Sequence, residues 1–542
     1  MSSREDSRTK YSKKRRKPSN KVKLDQQIAD GSQVRGSNKE GAVACMRVDA
    51  ANDPSWYMQS PELAKSASSL PFSQTTGGFP AFNDAVPPGV LSIEYWPTLG
   101  GAYLDPLNQA ANMMYSYTVH ANSRNTKYDA PDEMLIVIAA SQLFAAIAMG
   151  VRAYGVIKWY EQRNAYVPDT LVLAMGFDPE DLRANLSKMW FDLNLLIDQA
   201  TQLWVPKDMP VFQRWFWLNS NVYMDGDTFR SQMYIFVPKG FWQYKEGPDS
   251  PDGTGAGALQ MRGWANHTTT QPVNKRTWQE YMNMVNDMLA SLINSQDRGI
   301  IFGDILKAYG DNIFKMNPID SSYKVVPVYS QEVLSQIENL TTIQSIPVSV
   351  IQDKNTVTLK EYWSPLAEEN PSGQCLPGKV VLNFHQDTIP TNEQIFVATR
   401  LQAVGNIMAQ YEGVEGDPSI TPYACGTEVV YTVIMWARNP RTRNVAGMLF
   451  PLKWEKSGSD FVMPVKPDKV GLYMAFDWAP FIYVLDSTET GQWVNSKKPG
   501  THLFDVVHAY GDYDMYTIVD ASNLQQLHQT ALYSLFGVPK IG

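Results

Sequence analysis

The chain is 542 residues long, 44% apolar and 19% charged, enough for two or three globular domains around a large core, which excludes a wholly unstructured protein. Its net charge of −8 is unevenly spread: residues 1–40 carry twelve Lys or Arg and five Asp or Glu, a balance of +7 that leaves −15 on the remainder. Cys45, Cys375 and Cys425 are odd in number and far apart, and no apolar h-region follows the N-terminal charges, so neither a disulfide framework nor a secretory signal is expected.

Residues 1–55 read as a basic arm. The stretch YSKKRRKPSNKVK (11–23) holds seven Lys or Arg among thirteen residues and no acid. Like charges at that density repel, and the neighbouring Pro, Ser, Asn and Gln bury nothing, so the arm is expected to be disordered in isolation. Each cation that meets a phosphate releases a condensed counterion. On that ground Arg4, Arg8, Lys10, Lys13, Lys14, Arg15, Arg16, Lys17, Lys21 and Lys23 are the candidate RNA-binding residues. A nuclear-localisation patch and a solubilising tail are competing readings of the same run.

Residues 56–104 are rich in Pro and Gly and read as extended, and helical signals then dominate to about residue 205. Asp105-Pro106 supplies an N-cap and first helical residue. MLIVIAASQLFAAIAMG (134–150), interrupted by Ser141-Gln142 and closed by Arg152, reads as a buried helix too short to span a bilayer, so no membrane insertion is expected. Asp178-Pro179 repeats the capping device ahead of Leu182, Leu186, Met189, Leu193, Leu196, Ala200 and Leu203, whose 4, 3, 4, 3, 4, 3 spacing predicts one buried face on one helix.

From Val211 to Tyr244 the aromatic, β-prone texture predicts strands, with Asp225-Gly226 as a hairpin turn. Residues 248–260 read as a loop. Thr277 and Glu280 form a capping-box pattern ahead of a further helix, and IFGDILKAY ends at Gly310. Stretches such as VSVIQ, NTVTLKEYW, EVVYTVIMWA and PFIYVLD predict strands over 343–520. Asp520 caps a last helix with Leu524, Leu527, Ala531 and Leu535 on one face.

Catalytic patterns are weak. GTGAG (253–257) lacks the strand, helix and Lys-Ser/Thr of a phosphate loop. Asp225-Gly226-Asp227 has no Glu at calcium-loop spacing. The six histidines (120, 267, 385, 502, 508 and 528) show neither i, i+4 pairing nor a neighbouring cysteine at ligand spacing, so each is expected to be a satisfied polar or surface residue. No cofactor or metal is implied. A basic arm on an acidic body without an active-site pattern suits a container whose arms face a polyanion; a carbohydrate-active or nucleic-acid-processing enzyme with a localisation tail is the rival.

WYEQRNAYVPDTLVLAMGFDPEDLRANL (159–186) resembles the coat proteins of picobirnaviruses, whose genomes are two segments of double-stranded RNA. The resemblance continues through DLNLLIDQATQLWVP (192–206), RWFWLNSNVYMDGDTFRSQMYIFVPKGFWQY (214–244), GDILKAYGDNIFK (303–315) and TALYSLFGVP (530–539). It covers about a quarter of the chain, almost all of it before residue 320. It implies a non-enzymatic α+β shell protein, with a mainly α-helical shell domain over 56–340 (a β-rich segment at about 210–245). A β-rich projecting domain over 341–518 and a C-terminal helix over 519–542 returning to the shell complete the expected layout. It further implies homodimers assembled into a small icosahedral capsid around double-stranded RNA, made in the host cytoplasm, with the arm on the RNA and the viral polymerase as a partner inside.

Overall fold

A computed structural model describes residues 89–98, 106–123, 127–160, 167–226, 231–247, 257–265, 275–295 and 297–340, together with residues 60 and 267 and, from 347 on, separate segments of which 379–401, 427–438 and 515–538 are the longest. All of these except residue 60 belong to one compact unit spanning residues 74–542. The fold is mixed α and β, as the residue patterns imply.

Two sheets organise it. The first contains β1 (Val90–Pro97), β2 (Tyr223–Met224), β3 (Met233–Pro238), β9 (Glu428–Arg438) and β10 (Val445–Phe450), in the order β10-β9-β1-β3-β2. The second contains β4 (Gly240–Lys245), β5 (Ala258–Gly263), β6 (Pro347–Asp353) and β7 (Thr356–Glu361) in sequence order. β1 is central, parallel to β3 (Val90 opposite Met233) and antiparallel to β9 (Val90 opposite Trp436). Every residue of β1 is buried, because both faces of this sheet are covered. Val90, Ile235, Ile434 and Trp436 face the larger core, whereas Leu91, Ile93, Tyr95, Tyr234, Phe236, Val433 and Met435 face a second one. That strand lies inside the 56–104 stretch, which reads from the sequence as extended with few periodic signals. The strands β6, β7, β9 and β10, all beyond residue 340, hydrogen-bond with sheets begun before it.

The larger core wraps one helix. After α1 (Pro106–Asn122), α2 (Ala130–Tyr160) runs 31 residues and is buried on all sides along most of its length, as an apolar-all-round helix must be. It is longer than the 134–150 run suggests, and Ala130–Lys158 is long and apolar enough to cross a membrane, but the whole of its apolar window is buried inside the fold. Arg152 does not close the helix. It lies within it, fully buried, where its guanidinium donates to the carbonyls of Leu218, Asn221 and Phe236 at 2.9–3.1 Å. Two of those carbonyls belong to the C-terminal end of α6 (Pro210–Ser220), the negative end of its dipole.

α6 corrects the strand expected from Val211. Pro210 occupies the first turn, and Val211, Phe212, Trp215, Leu218 and Asn219 are buried at helical spacing, so packing overrides aromatic β-propensity. The β2–β3 pairing does follow, and Asp225 joins its two ends by accepting from the Gln232 amide at 2.9 Å. α3 (Val167–Ala174) precedes the Asp178 cap, whose carboxylate accepts from the Glu180 amide. The single helix expected from Asp178 is two: α4 (Pro179–Ala184) and α5 (Leu186–Ala200), separated at Asn185, whose side-chain amide bonds back to Asp181. Leu182, Met189, Leu193, Leu196 and Ala200 are buried as the spacing requires, and Leu203 is buried beyond the helix end. Leu186, at the break, is only partly so.

The capping box of α7 (Trp278–Ile293) forms as read, with Asp181 also accepting from the Trp278 amide at 2.7 Å. α8 (Arg298–Tyr309) ends at Gly310, whose φ of 54° suits glycine. α9 (Gln331–Glu338), β8 (Lys379–Phe384), α10 (Asn392–Ala398), β11 (Ile482–Leu485), β12 (Val506–Tyr510), β13 (Met515–Asp520) and α11 (Ala521–Leu535) complete the elements used below. β13 pairs with β8, and β12 with β11. On α11 the face departs from the expected one: His528 and Leu535 are buried, while Leu527 is exposed.

Candidate functional site

Arg4, Arg8, Lys10, Lys13, Lys14, Arg15, Arg16, Lys17, Lys21 and Lys23 lie outside the described residues, and so do positions 253–256 of the glycine-rich loop. What can be built are the polar clusters within the body and the groups on its surface.

Among the described residues three clusters carry most of the buried charge. Ser92 and Glu94 project from β1 into an otherwise apolar layer and therefore need partners. Ser92 accepts from the Trp436 indole at 2.8 Å. Glu94 meets Lys239 at 2.7 Å and His267 through Nδ1, and Trp436 lies edge-on to the imidazole. Burial works against ionisation of Glu94, but the hydrogen bond from His267 and the charge of Lys239 outweigh it and hold the carboxyl below its usual range. All three side chains are buried, so the group pins β1 to the loops after β3 and β5 and offers no surface to a substrate.

At the start of α2, Glu133 accepts from the Thr118 hydroxyl at 2.6 Å, and Tyr128 donates to Asp304 at 3.2 Å. Burial pushes the Glu133 carboxyl up to about 7, the Asp304 charge adds to this, and the Thr118 bond opposes it. In the third cluster Glu428, the first residue of β9, is paired with Arg214 at 2.6 Å, and Arg214 also donates to Gln336 at 3.0 Å. These contacts join α6, α9 and β9.

Of the histidines, His528 on α11 bonds Thr399 at 2.7 Å and stacks on Phe396, and burial with the nearby Arg400 charge drives it down to about 3. It is neutral at physiological pH. His385 meets Glu338 at 3.1 Å and lies 4.0 Å from the Trp478 ring centroid. His120 is on the surface, and His502 lies outside the described residues. Among the described residues no three His, Cys, Asp or Glu side chains are grouped as a metal would need. An open cleft of about 400 Å³ between β4 and α7 is lined by polar side chains such as Gln243, Asp287 and Asn294, with an Arg262–Asp287 pair at 2.9 Å beside it.

The surface is where unabsorbed apolar area lies. α5 turns Trp190, Phe191 and Leu195 outward, with Phe191 60% exposed, and Val326, Val328 and Tyr329 do the same on the strand-like segment before α9. Outward apolar groups on a large packed body are the raw material of protein contacts. The sequence carried a signal for α5, since Trp190 and Phe191 fall off the buried stripe of Leu182 to Leu203.

Comparison with known proteins gives three findings that point to one family. The family model described as the picobirnavirus capsid protein matches residues 56–473. A capsid protein precursor of a human picobirnavirus (strain Human/Thailand/Hy005102/-) is 25% identical over 574 residues, spanning 98% of this chain and 97% of the relative. The crystallographic structure of the picobirnavirus capsid has the same fold, with a TM-score of 0.69 at 21% identity, covering 89% of this chain and 98% of that one.

Proposed function

Because this chain belongs to the picobirnavirus capsid protein family, a structural family whose members build virions, we propose that it self-assembles through dimers into a small icosahedral shell enclosing double-stranded RNA, and that residues 1–55 reach inward to that RNA. The observation that carries the reading is the span of the likeness: the family model covers residues 56–473, the relative 98% of the chain and the shared fold 89% of it. The family match begins at residue 56, and the excess of positive charge lies before it. A +7 segment on a −15 body is the distribution expected when only the arm should be drawn to phosphate. In the same reading residues 341–518, apart from the strands they lend to the two sheets, contribute the outward, projecting part, the polymerase travels inside, and assembly takes place in the host cytoplasm.

Particles purified from expressing cells test this directly. Uniform shells by electron microscopy, carrying nuclease-protected RNA, are the expected result; monodisperse monomers or small oligomers would refute it. For the arm, neutralising Lys13, Lys14, Arg15, Arg16, Lys17, Lys21 and Lys23 to Gln should lower the 260/280 nm absorbance ratio of the particles. If about six of these cations contact a single strand, the arm peptide binds with a slope of log K against log salt near −4, so that going from about 50 to 200 mM salt weakens binding on the order of 300-fold. A peptide with little RNA affinity at low salt would refute the RNA contact and leave the localisation reading.

A further inference from the structure

We infer that the joint outer face of α1 and α11 is a contact between two copies of this chain, related by a two-fold axis. The inference rests on the self-assembly proposed above and assigns it a surface.

The two helices lie together: the Gln109 side-chain amide donates to the Tyr533 hydroxyl at 3.1 Å. Their exposed residues include Gln109, Asn112, Met113, Ser116 and, in the last turn, His120 from α1, and Leu527, Thr530 and Tyr533 from α11. Met113, Leu527 and Tyr533 are each 40–47% exposed. Neither helix contains a single Asp, Glu, Lys or Arg across its 17 and 15 residues, although at the chain's 19% charged content the pair would carry about six. Exposed helices ordinarily dissolve their outer faces with charge. α5 does so with Lys188 and Asp198 beside its aromatic groups. Depletion of charge together with Met and Tyr is the composition of an interface core.

Charge identifies the occupant. The body beyond residue 40 carries −15, so two copies repel over most of their surface and approach at least cost where charge is missing. A two-fold contact also sets a patch against itself. Gln, Asn, Ser, Thr and Tyr each both donate and accept, so they can pair with their own copies, which Lys or Asp cannot do. The size is adequate: helices of these lengths are about 25 and 22 Å long and together about 20 Å wide, giving on the order of 500 Å² per copy and 1,000 Å² in all, the threshold for a specific contact.

The test uses the full chain with two surface substitutions, Met113→Lys with Thr530→Lys in one version and Met113→Glu with Thr530→Glu in another. Both should melt as the wild type does. Each alone should dimerise at a concentration on the order of 100-fold higher and fail to form shells, read by light scattering and electron microscopy. Coexpressing the two versions makes every cross-contact opposite in sign and should restore association. If either double variant melts early, the single pair Thr530→Lys and Thr530→Glu gives the same comparison. A Lys version that assembles like the wild type, or a mixture that stays apart, overturns this surface while leaving self-assembly intact. A wild-type chain that never associates overturns both.

Discussion

The crossing of α2 and α7 depends on the absence of one carbon atom. A Cβ built at Gly150 would lie 2.3 Å from the Tyr281 hydroxyl oxygen and 2.7 Å from Cζ, both far inside contact distance. The ring has nowhere to retreat. It is fully buried, its centroid is 5.4 Å from that of Phe177, 5.6 Å from Trp264 and 4.7 Å from Trp278, and its hydroxyl donates to the Ala146 carbonyl at 2.7 Å. For Gly150→Ala, helix propensity favours the variant by about 1 kcal/mol. Against it stand overpacking at about 1–3 kcal/mol and loss of the displaced hydrogen bond at about 1 kcal/mol. The net expectation is destabilisation by about 1–3 kcal/mol, measured as a lowered denaturation midpoint of the full chain. Tyr281→Phe alone gives up the bond to Ala146 for about 1 kcal/mol. Combined with Gly150→Ala it also removes the closest clashing atom, so the double variant should be more stable than the sum of the singles by about 1 kcal/mol. Strict additivity, or a Gly150→Ala chain that melts higher, would show that the helices do not approach as described.

Leu193→Ala should cost about 2–5 kcal/mol through the cavity it leaves, while Phe191→Ala on the same helix changes the melting of the isolated subunit by less than about 0.5 kcal/mol; thermal melts of both settle which face of α5 is inward. Arg152→Met strips three carbonyls, two of them buried, of their donor and should cost about 3 kcal/mol by denaturant unfolding, and Arg152→Lys recovers only part of this because one ammonium cannot reproduce the fork. Glu133 is raised from 4.5 to about 7 in the fold, so the folded chain holds its proton more tightly than the unfolded one. Its contribution is intact below about pH 4.5 and is lost as pH rises through 7, amounting to about 3 kcal/mol at pH 8. Glu133→Gln should therefore be near neutral at pH 4.5, stabilising at pH 8, and flatter in between; an unchanged pH profile would mean the carboxyl is solvated.

Local chemistry was the legible part of the sequence. The Asp178 and Thr277 caps and the Gly310 stop are decided by residues within a turn or two of one another, and the structure reproduces them, while the stripe from Leu182 to Leu203 is buried except at Leu186, where the one expected helix breaks into two. α6 was misread because Phe212, Trp215 and Phe216 suit a strand as well as a helix, and only the elements packed on them decide. β1 went unseen for a related reason. Its partners lie about 140 residues away in β3 and about 340 away in β9, and a strand buried on both faces does not alternate. For the candidate surfaces, Trp190 and Phe191 could be flagged as off-stripe, whereas the pairing of α1 with α11 joins residues 424 positions apart and no local pattern announces it. The arm was readable as charge alone.

The position of β1 also sets a clock. Its β3 neighbour is made soon after it, but the strand that closes its other edge ends at Arg438, and the Trp436 indole that satisfies Ser92 arrives with it. At about 5–20 residues per second, translation needs roughly 15–70 s to cover that gap. Until then the central sheet is half built and the layer carrying Glu94 and Ser92 is unfinished. A nascent chain that has not reached Arg438 therefore has no completed central sheet. The long-range strand makes synthesis as far as Arg438 a precondition for completing the central sheet.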